Sequence, residues 1–159
     1  MNPHHLLPVV SACLLALAAR TARADEGGVR EAIEALRKLG ASVTIVETRS
    51  PPITAVIIEG EWKGGDAGLA HLKAIPNLTD LRLSGCEGVT DEGLRHIAGL
   101  ASLERLWFSE LEIGDEGLQH LAALEKLRTV WLRGSRATMT GMAKLQVARP
   151  GLRLEYHGD

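Results

Sequence analysis

Aromatic residues make up only 3% of this 159-residue chain, with one Phe, one Tyr and three Trp. A globule organised round an aromatic centre is therefore a poor description. The apolar share of 45% rests on Leu, Ala, Ile and Val, which suits a thin core of many leucine contacts. Cysteine is nearly absent, with only Cys13 and Cys86, so no disulfide framework holds the fold. Charge of one sign is lacking too: 18 basic residues stand against 20 acidic ones. No basic cluster can track a phosphate backbone, which argues against nucleic acid and against an anionic membrane surface as partners. There is no G-x-S-x-G, no Ser/His/Asp order and no glycine-rich phosphate loop, so neither an enzyme nor a cofactor is expected. The length suits one domain rather than two.

Long apolar runs are also missing. The longest, Leu6 to Ala19, is interrupted by Pro8, Ser11 and Cys13 and is too short to anchor in a bilayer. It is followed by Ala22-Arg23-Ala24 and then the charged Asp25. An apolar run followed by an A-x-A site is the order of a secretory signal, so residues 1–24 are read as a signal peptide and the mature protein as secreted or periplasmic. Val10-Ser11-Ala12-Cys13 resembles a lipobox, but the apolar run continues through Leu14, Leu15 and Leu17, where a lipobox cysteine should close it. Cleavage after Ala24 removes Arg20 and Arg23. The 18 basic residues less these two leave 16 against 20 acidic, a net charge of −4, with Cys86 as the lone cysteine.

What the chain has is an internal repeat. Asp66-Ala67-Gly68-Leu69 recurs as Asp91-Glu92-Gly93-Leu94 and as Asp115-Glu116-Gly117-Leu118, then in degenerate form as Thr140-Gly141-Met142. Between these lies a second phrase: Leu78-x-x-Leu81-x-Leu83, Leu103-x-x-Leu106-x-Phe108 and Leu127-x-x-Val130-x-Leu132, with Ile53-x-x-Val56-x-Ile58 before them and Leu154-x-Tyr156 after. The second phrase alternates, as a strand with one buried side does. The first is spaced by three, as in Leu94, Ile97 and Leu100, which is one face of a short helix. Asp66, Asp91 and Asp115 stand where an N-cap for that helix belongs. Each unit is thus strand, turn, helix and return, and only stacking buries its apolar edge. The expected fold is α/β: a solenoid with a parallel concave sheet and short convex helices.

Leu78-Thr79-Asp80-Leu81-Arg82-Leu83-Ser84-Gly85-Cys86 matches the phrase L-x-x-L-x-L-x-x-N/C, and the chain resembles leucine-rich-repeat proteins over about residues 53–156. The continuation Val89-Thr90-Asp91-Glu92-Gly93-Leu94 is similar to the V-T-D-x-G-L repeats of secreted bacterial proteins, the planctomycete kind especially. The resemblance implies a scaffold for binding and names no partner. Three departures stand out. Leu111 takes a slot usually small and polar, so Leu111→Asp is expected to be tolerated better than Leu106→Asp. Met139 replaces the last capping aspartate, and Gly64-Gly65 replaces Val-Thr in the first repeat. Residues 53–159 are assigned to the repeats and residues 25–52 to an N-terminal cap. In that cap Val29, Ile33, Leu36 and Leu39 form one helical face ending at Gly40, and Ser42 to Thr48 alternates as a strand. Arg49-Ser50-Pro51-Pro52 is the turn into the first repeat, and Trp62, just after the first repeat strand, is placed beneath the cap.

Candidate sites follow from the register. His71, His96 and His120 recur at one place per repeat, but Lys144 takes the fourth, and they lack the carboxylate or cysteine partners of a metal site. The aspartates are accounted for by capping, Cys86 by burial at the strand-to-turn bend, and Asn77-Leu78-Thr79 by a chance sequon. The concave face is the informative surface. Its exposed column reads Ile57, Arg82, Trp107, Trp131, Glu155, with Arg105 and Arg133 in the flanking columns. Two of the three tryptophans set side by side among arginines have the composition of a binding hot spot. Arg82 is expected against the face of Trp107, and a protein or glycan is the expected partner, the alternative being a structural envelope or matrix component without a specific ligand on this face. No membrane insertion is expected after cleavage, and the oligomeric state is left open.

The mature chain is expected to begin at Asp25. Mass spectrometry of exported protein checks this, and a lipid-bearing start at Cys13 would refute it.

Overall fold

The computed structural model describes residues 26–46 and 53–157. The expected signal segment with its lipobox alternative, the start of the chain at Asp25 and the Arg49–Pro52 turn lie outside them. The described chain begins with helix α1 (Glu26–Lys38) and strand β1 (Ala41–Val46). Four units then follow. They run β2 (Ile53–Glu59) into α2 (Gly65–Gly68), β3 (Leu78–Ser84) into α3 (Asp91–Ile97), β4 (Arg105–Leu111) into α4 (Asp115–His120), and β5 (Thr129–Ser135) into α5 (Met139–Ala148). Short 3-10 turns extend α2 over Leu69–Ala74 and α4 over Leu121–Ala123, and strand β6 (Arg153–His157) ends the series. One sheet holds all six strands in chain order, with β1 antiparallel to β2 and the rest parallel. This is an α/β leucine-rich-repeat solenoid.

The strand pairing places Val56, Leu81, Leu106, Val130 and Leu154 in one row, and Ile58, Leu83, Phe108, Leu132 and Tyr156 in the next. All of these but Leu154 and Tyr156 are wholly or almost wholly buried, as are Leu69, Leu94 and Leu118 from the helices behind them. The first end is covered by α1, whose Val29, Ile33 and Leu36 are buried. Trp62 is buried beneath this cap, its Nε1 donating to Gly65 O at 3.0 Å. A Cβ on Gly68 would meet both the Trp62 ring and Leu39 Cδ1, so glycine there makes room for the plug.

The repeat aspartates do something other than cap their own helices. Thr90 and Thr138 are the N-caps of α3 and α5, accepting from Glu92 N–H and Gly141 N–H, while Gly114 precedes α4 without a side-chain cap. Asp91 and Asp115 sit one residue past their N-caps and Asp66 two past Gly64, and all three reach forward to the next repeat. Thr90 donates its N–H to Asp66 Oδ1 and its hydroxyl to Asp66 Oδ2, both at 2.7 Å. Gly114 N–H donates to Asp91 Oδ1 at 2.7 Å. Thr138 repeats the double bond to Asp115, again at 2.7 Å for both. Each aspartate thus satisfies an N–H at the start of the following unit, where helix geometry leaves donors open. The glycine two residues after each later helix start serves the same contact: a Cβ on Gly93, Gly117 or Gly141 would collide with the incoming Asp66, Asp91 or Asp115 carboxylate. Met139 holds the place of the aspartate in α5, and among the described residues no further N–H is presented to it.

Leu111 is a second correction. It is only 3% exposed and Ile113 is fully buried, and Cys86 in the same slot of the preceding repeat is also 3% exposed, so this slot turns inward whatever the length of the turn. Its register partner Ser135 has an Oγ that is buried without a hydrogen-bond partner among the described residues. The slot is closed to water whatever occupies it, so a carboxylate at Leu111 is as badly placed as one at Leu106, at a cost of several kcal/mol in either case. At the far end Arg149 donates to the carbonyls of Leu124, Glu125 and Leu127, holding the end of α5 to the turn of the preceding repeat.

Two predictions come from this geometry. Glu110 has φ 55°, where the sister repeats place Gly85 at 58° and Gly134 at 55°. The left-handed conformation costs an L residue about 1–2 kcal/mol, against roughly 0.5–1 kcal/mol for the extra freedom of unfolded glycine. Glu110→Gly is therefore expected to raise stability by about 0.5–1 kcal/mol in urea unfolding, and a loss would refute the strain. The second concerns Asp115, whose carboxyl is held below its usual range first by the Thr138 N–H and then by the Thr138 hydroxyl. A depressed folded pKa contributes stability above the unfolded value, about 3.9, which is lost as pH falls through the folded value. Asp115→Asn should be less stable than the parent at neutral pH, and the gap should close only below the ordinary carboxylate range. A gap independent of pH would contradict this.

Candidate functional site

The helix-free face of the sheet carries the residues that alternate with the buried columns. Its central row is Ile57, Arg82, Trp107, Trp131 and Glu155, paired residue by residue across five strands. Ala55, Asp80, Arg105, Thr129 and Arg153 flank it on one side, and Glu59, Ser84, Ser109, Arg133 and His157 on the other. Trp107 and Trp131 are half-buried, with ring centroids 4.5 Å apart and planes within 1° of parallel. That separation is close to the roughly 4.8 Å between adjacent strands, so the rings stand up from the sheet face to face and turn their edges to solvent.

The two indoles differ in their polar ends. Trp131 Nε1 donates to Glu155 Oε2 at 2.7 Å, and Glu155 is itself paired with Arg153 at 2.8 Å. Trp107 Nε1 has no hydrogen-bond partner among the described residues and is not closed off from solvent, so it remains a donor at the edge of the stack. Beside it, Arg105 grips Asp80 with two bonds, Nε at 2.6 Å and Nη2 at 3.0 Å. Asp80 is buried and also accepts from Thr79 Oγ1 at 2.8 Å. A carboxylate fixed in this way holds a planar guanidinium in one orientation.

Arg105, with Cζ 6.0 Å from the Trp107 centroid, is the cation nearest that ring. Arg82 lies beside Trp107 in the register, but its Nε is paired with Glu59 at 3.2 Å across the neighbouring strand. An opposite charge within reach outweighs an indole face for a half-exposed guanidinium. Arg133 is exposed and makes no ion pair among the described residues. The structure therefore assembles Trp107, Trp131 and Arg105 into one cluster, with Arg82 and Arg133 at its margins. Sequence reasoning missed the parts played by Asp80 and Glu155. The register places both in the right rows, but pairing them with Arg105 and Trp131 depends on rotamers that spacing does not specify.

The other candidates lie elsewhere. His71, His96 and His120 sit on the helical side, and no group of three or more His, Cys, Asp or Glu suited to a metal occurs among the described residues. Cys86 is buried, with Sγ 3.4 Å from the carbonyls of Ile58 and Ser84. Burial pushes its thiol pKa up, the reverse of what a reactive thiolate needs. Asn77 of the sequon is exposed. No described helix is long and apolar enough to cross a membrane.

The family model described as Leucine Rich repeat matches residues 74–98, the unit from the turn before β3 to the end of α3. No curated protein matches the chain. Modules of this repeat type are typically non-enzymatic and bind proteins. The matched unit, its copies in register on either side and the sheet they build give the chain a leucine-rich-repeat solenoid fold, similar to that family over the matched unit.

Proposed function

We propose that this chain is an interaction module that holds a protein partner on the concave face of its sheet, centred on Trp107 and Trp131. The observation that carries this is the paired stack itself: a protein with three tryptophans sets two of them on an open sheet face, 4.5 Å apart, with one indole N–H unspent. Aromatic and arginine residues are the side chains most enriched at the energetic centres of interfaces. Here the stack is rigid before binding, which lowers the entropy lost on association. A partner would place an apolar side chain against the ring edges and a carbonyl or carboxylate on Trp107 Nε1. Arg133 and the half-exposed Arg82 offer further donors to acidic groups.

The same geometry favours a protein over a glycan. A sugar ring stacks on an open indole face, whereas each indole here gives one face to the other. The Arg105 guanidinium adjoins the Trp107 ring, and the Glu155 carboxylate holds the Trp131 edge. The A-x-A site after the early apolar run supports export by residues 1–24 to a secreted or periplasmic location. The V-T-D-x-G-L phrasing supports a bacterial protein of the secreted kind.

Replacing both tryptophans with alanine is expected to reduce partner capture by about thirtyfold or more, since a buried interface tryptophan is worth about 2 kcal/mol or more. The urea transition should stay close to that of the parent. The comparison is between proteins retained by the immobilised parent chain and by the double variant. Unchanged capture by a folded variant would remove this face from the binding account, and collapse of the fold would place the rings in the core.

A further inference from the structure

Among the described residues, the last repeat leaves its core edge open. Leu81, Leu106 and Val130 are fully buried, but Leu154, next in their row, is only partly so. Tyr156, next after Leu132, is 42% exposed, and Met139, which holds the place of the repeat aspartates, is 76% exposed. Among the described residues β6 pairs only with β5. Arg153 N–H is spent on Arg128 O at 2.8 Å, and strand alternation then turns the N–H and C=O of Leu154 and Tyr156 to the open side. At the opposite end of the stack α1 and Trp62 cover the core, so this bareness belongs to one end.

We infer that two copies of this chain join through their β6 edges, antiparallel, in a register centred on Leu154. In that register Leu154 meets Leu154 of the second copy on the core side, and the two exchange N–H···O=C bonds. Arg153 faces the second copy's Glu155, and Glu155 faces its Arg153, on the concave side. Tyr156 lies over the second copy's Leu152. Charge selects this arrangement: sliding one strand by two residues would set Glu155 against Glu155, a like pair directly opposed. Exposed edges are commonly defended by charges of one sign that repel a second strand. β6 carries one acid and one base two residues apart, and these attract in the antiparallel sense. The contact is isologous, so it closes at two copies and does not propagate.

The test is sedimentation of the purified full chain over a range of concentrations. The parent should form a dimer and nothing larger. Arg153→Glu and Glu155→Arg should each weaken it about tenfold or more by opposing like charges twice across the two-fold, and the double exchange should restore it. Glu155 also holds Trp131, so Tyr156→Lys, which leaves both charges in place, is a separate probe and should likewise give monomer. Circular dichroism and urea unfolding confirm that each variant is folded. The Trp107→Ala variant, which leaves the Trp131–Glu155 bond in place, should dimerise like the parent, which separates this edge from the concave-face partner site. A parent that stays monomeric at the highest soluble concentration, open-ended assemblies, or a double exchange that fails to restore the dimer would overturn the inference.

Discussion

A repeat of this chain has nothing to bury its leucines against except the repeat beside it. Leu81 and Leu83 are sealed by Leu106 and Phe108 in front and by Val56 and Ile58 behind. The hydrophobic term therefore acts only if successive units lie one strand spacing apart. The forward-reaching aspartates make that spacing specific. Each carboxylate meets an N–H of the next unit at 2.7 Å, and each following helix has a glycine where a side chain would block it. The D-x-G-L phrase thus records two halves of a contact between neighbouring repeats, with the aspartate serving the unit after it and the glycine the unit before.

The same spacing organises the concave face. Residues at equivalent positions come to lie in rows, so side chains about 24 residues apart interact as neighbours. Trp107 and Trp131 stack because their strands are adjacent and in register. Asp80 reaches Arg105, Glu59 reaches Arg82 and Glu112 reaches Arg136 for the same reason. These ion pairs differ in worth. The Asp80–Arg105 pair is held by a buried carboxylate and two bonds, whereas the exposed pairs at Glu59 and Glu112 contribute little to stability. The pair with the buried carboxylate lies beside the stacked tryptophans.

A stack must end, and the two ends are treated differently. The first is closed by a helix and by an indole wedged against Gly64 and Gly68. The last is tethered rather than covered: Arg149 binds three carbonyls of the preceding turn, and Gln146 Nε2 donates to Leu152 O at 3.0 Å. Tyr156 and Met139 stay exposed beside them. Edge and face adjoin at Glu155, one carrying a strand that is unpaired on its outer side among the described residues and the other the aromatic cluster.

Periodicity alone determined the strands, the helices, the parallel register and the rows of the concave face, because a repeat states its own alignment and alternation decides which side chains go inward. It also determined that Trp107 and Trp131 are neighbours. Three matters were settled only by tertiary structure. The aspartates bond forward to the next unit instead of capping their own helices, since the N-cap place falls before each one, at Gly64, Thr90 and Gly114, and the nearest open donor lies across the repeat boundary. Leu111 is buried, because the slot it shares with Cys86 and Ser135 packs against the neighbouring repeats. Arg82 leaves the Trp107 ring to Arg105, because a glutamate on the adjoining strand competes for it. In each case the deciding partner is a residue of another repeat, at a distance and in a rotamer that only the packed stack specifies.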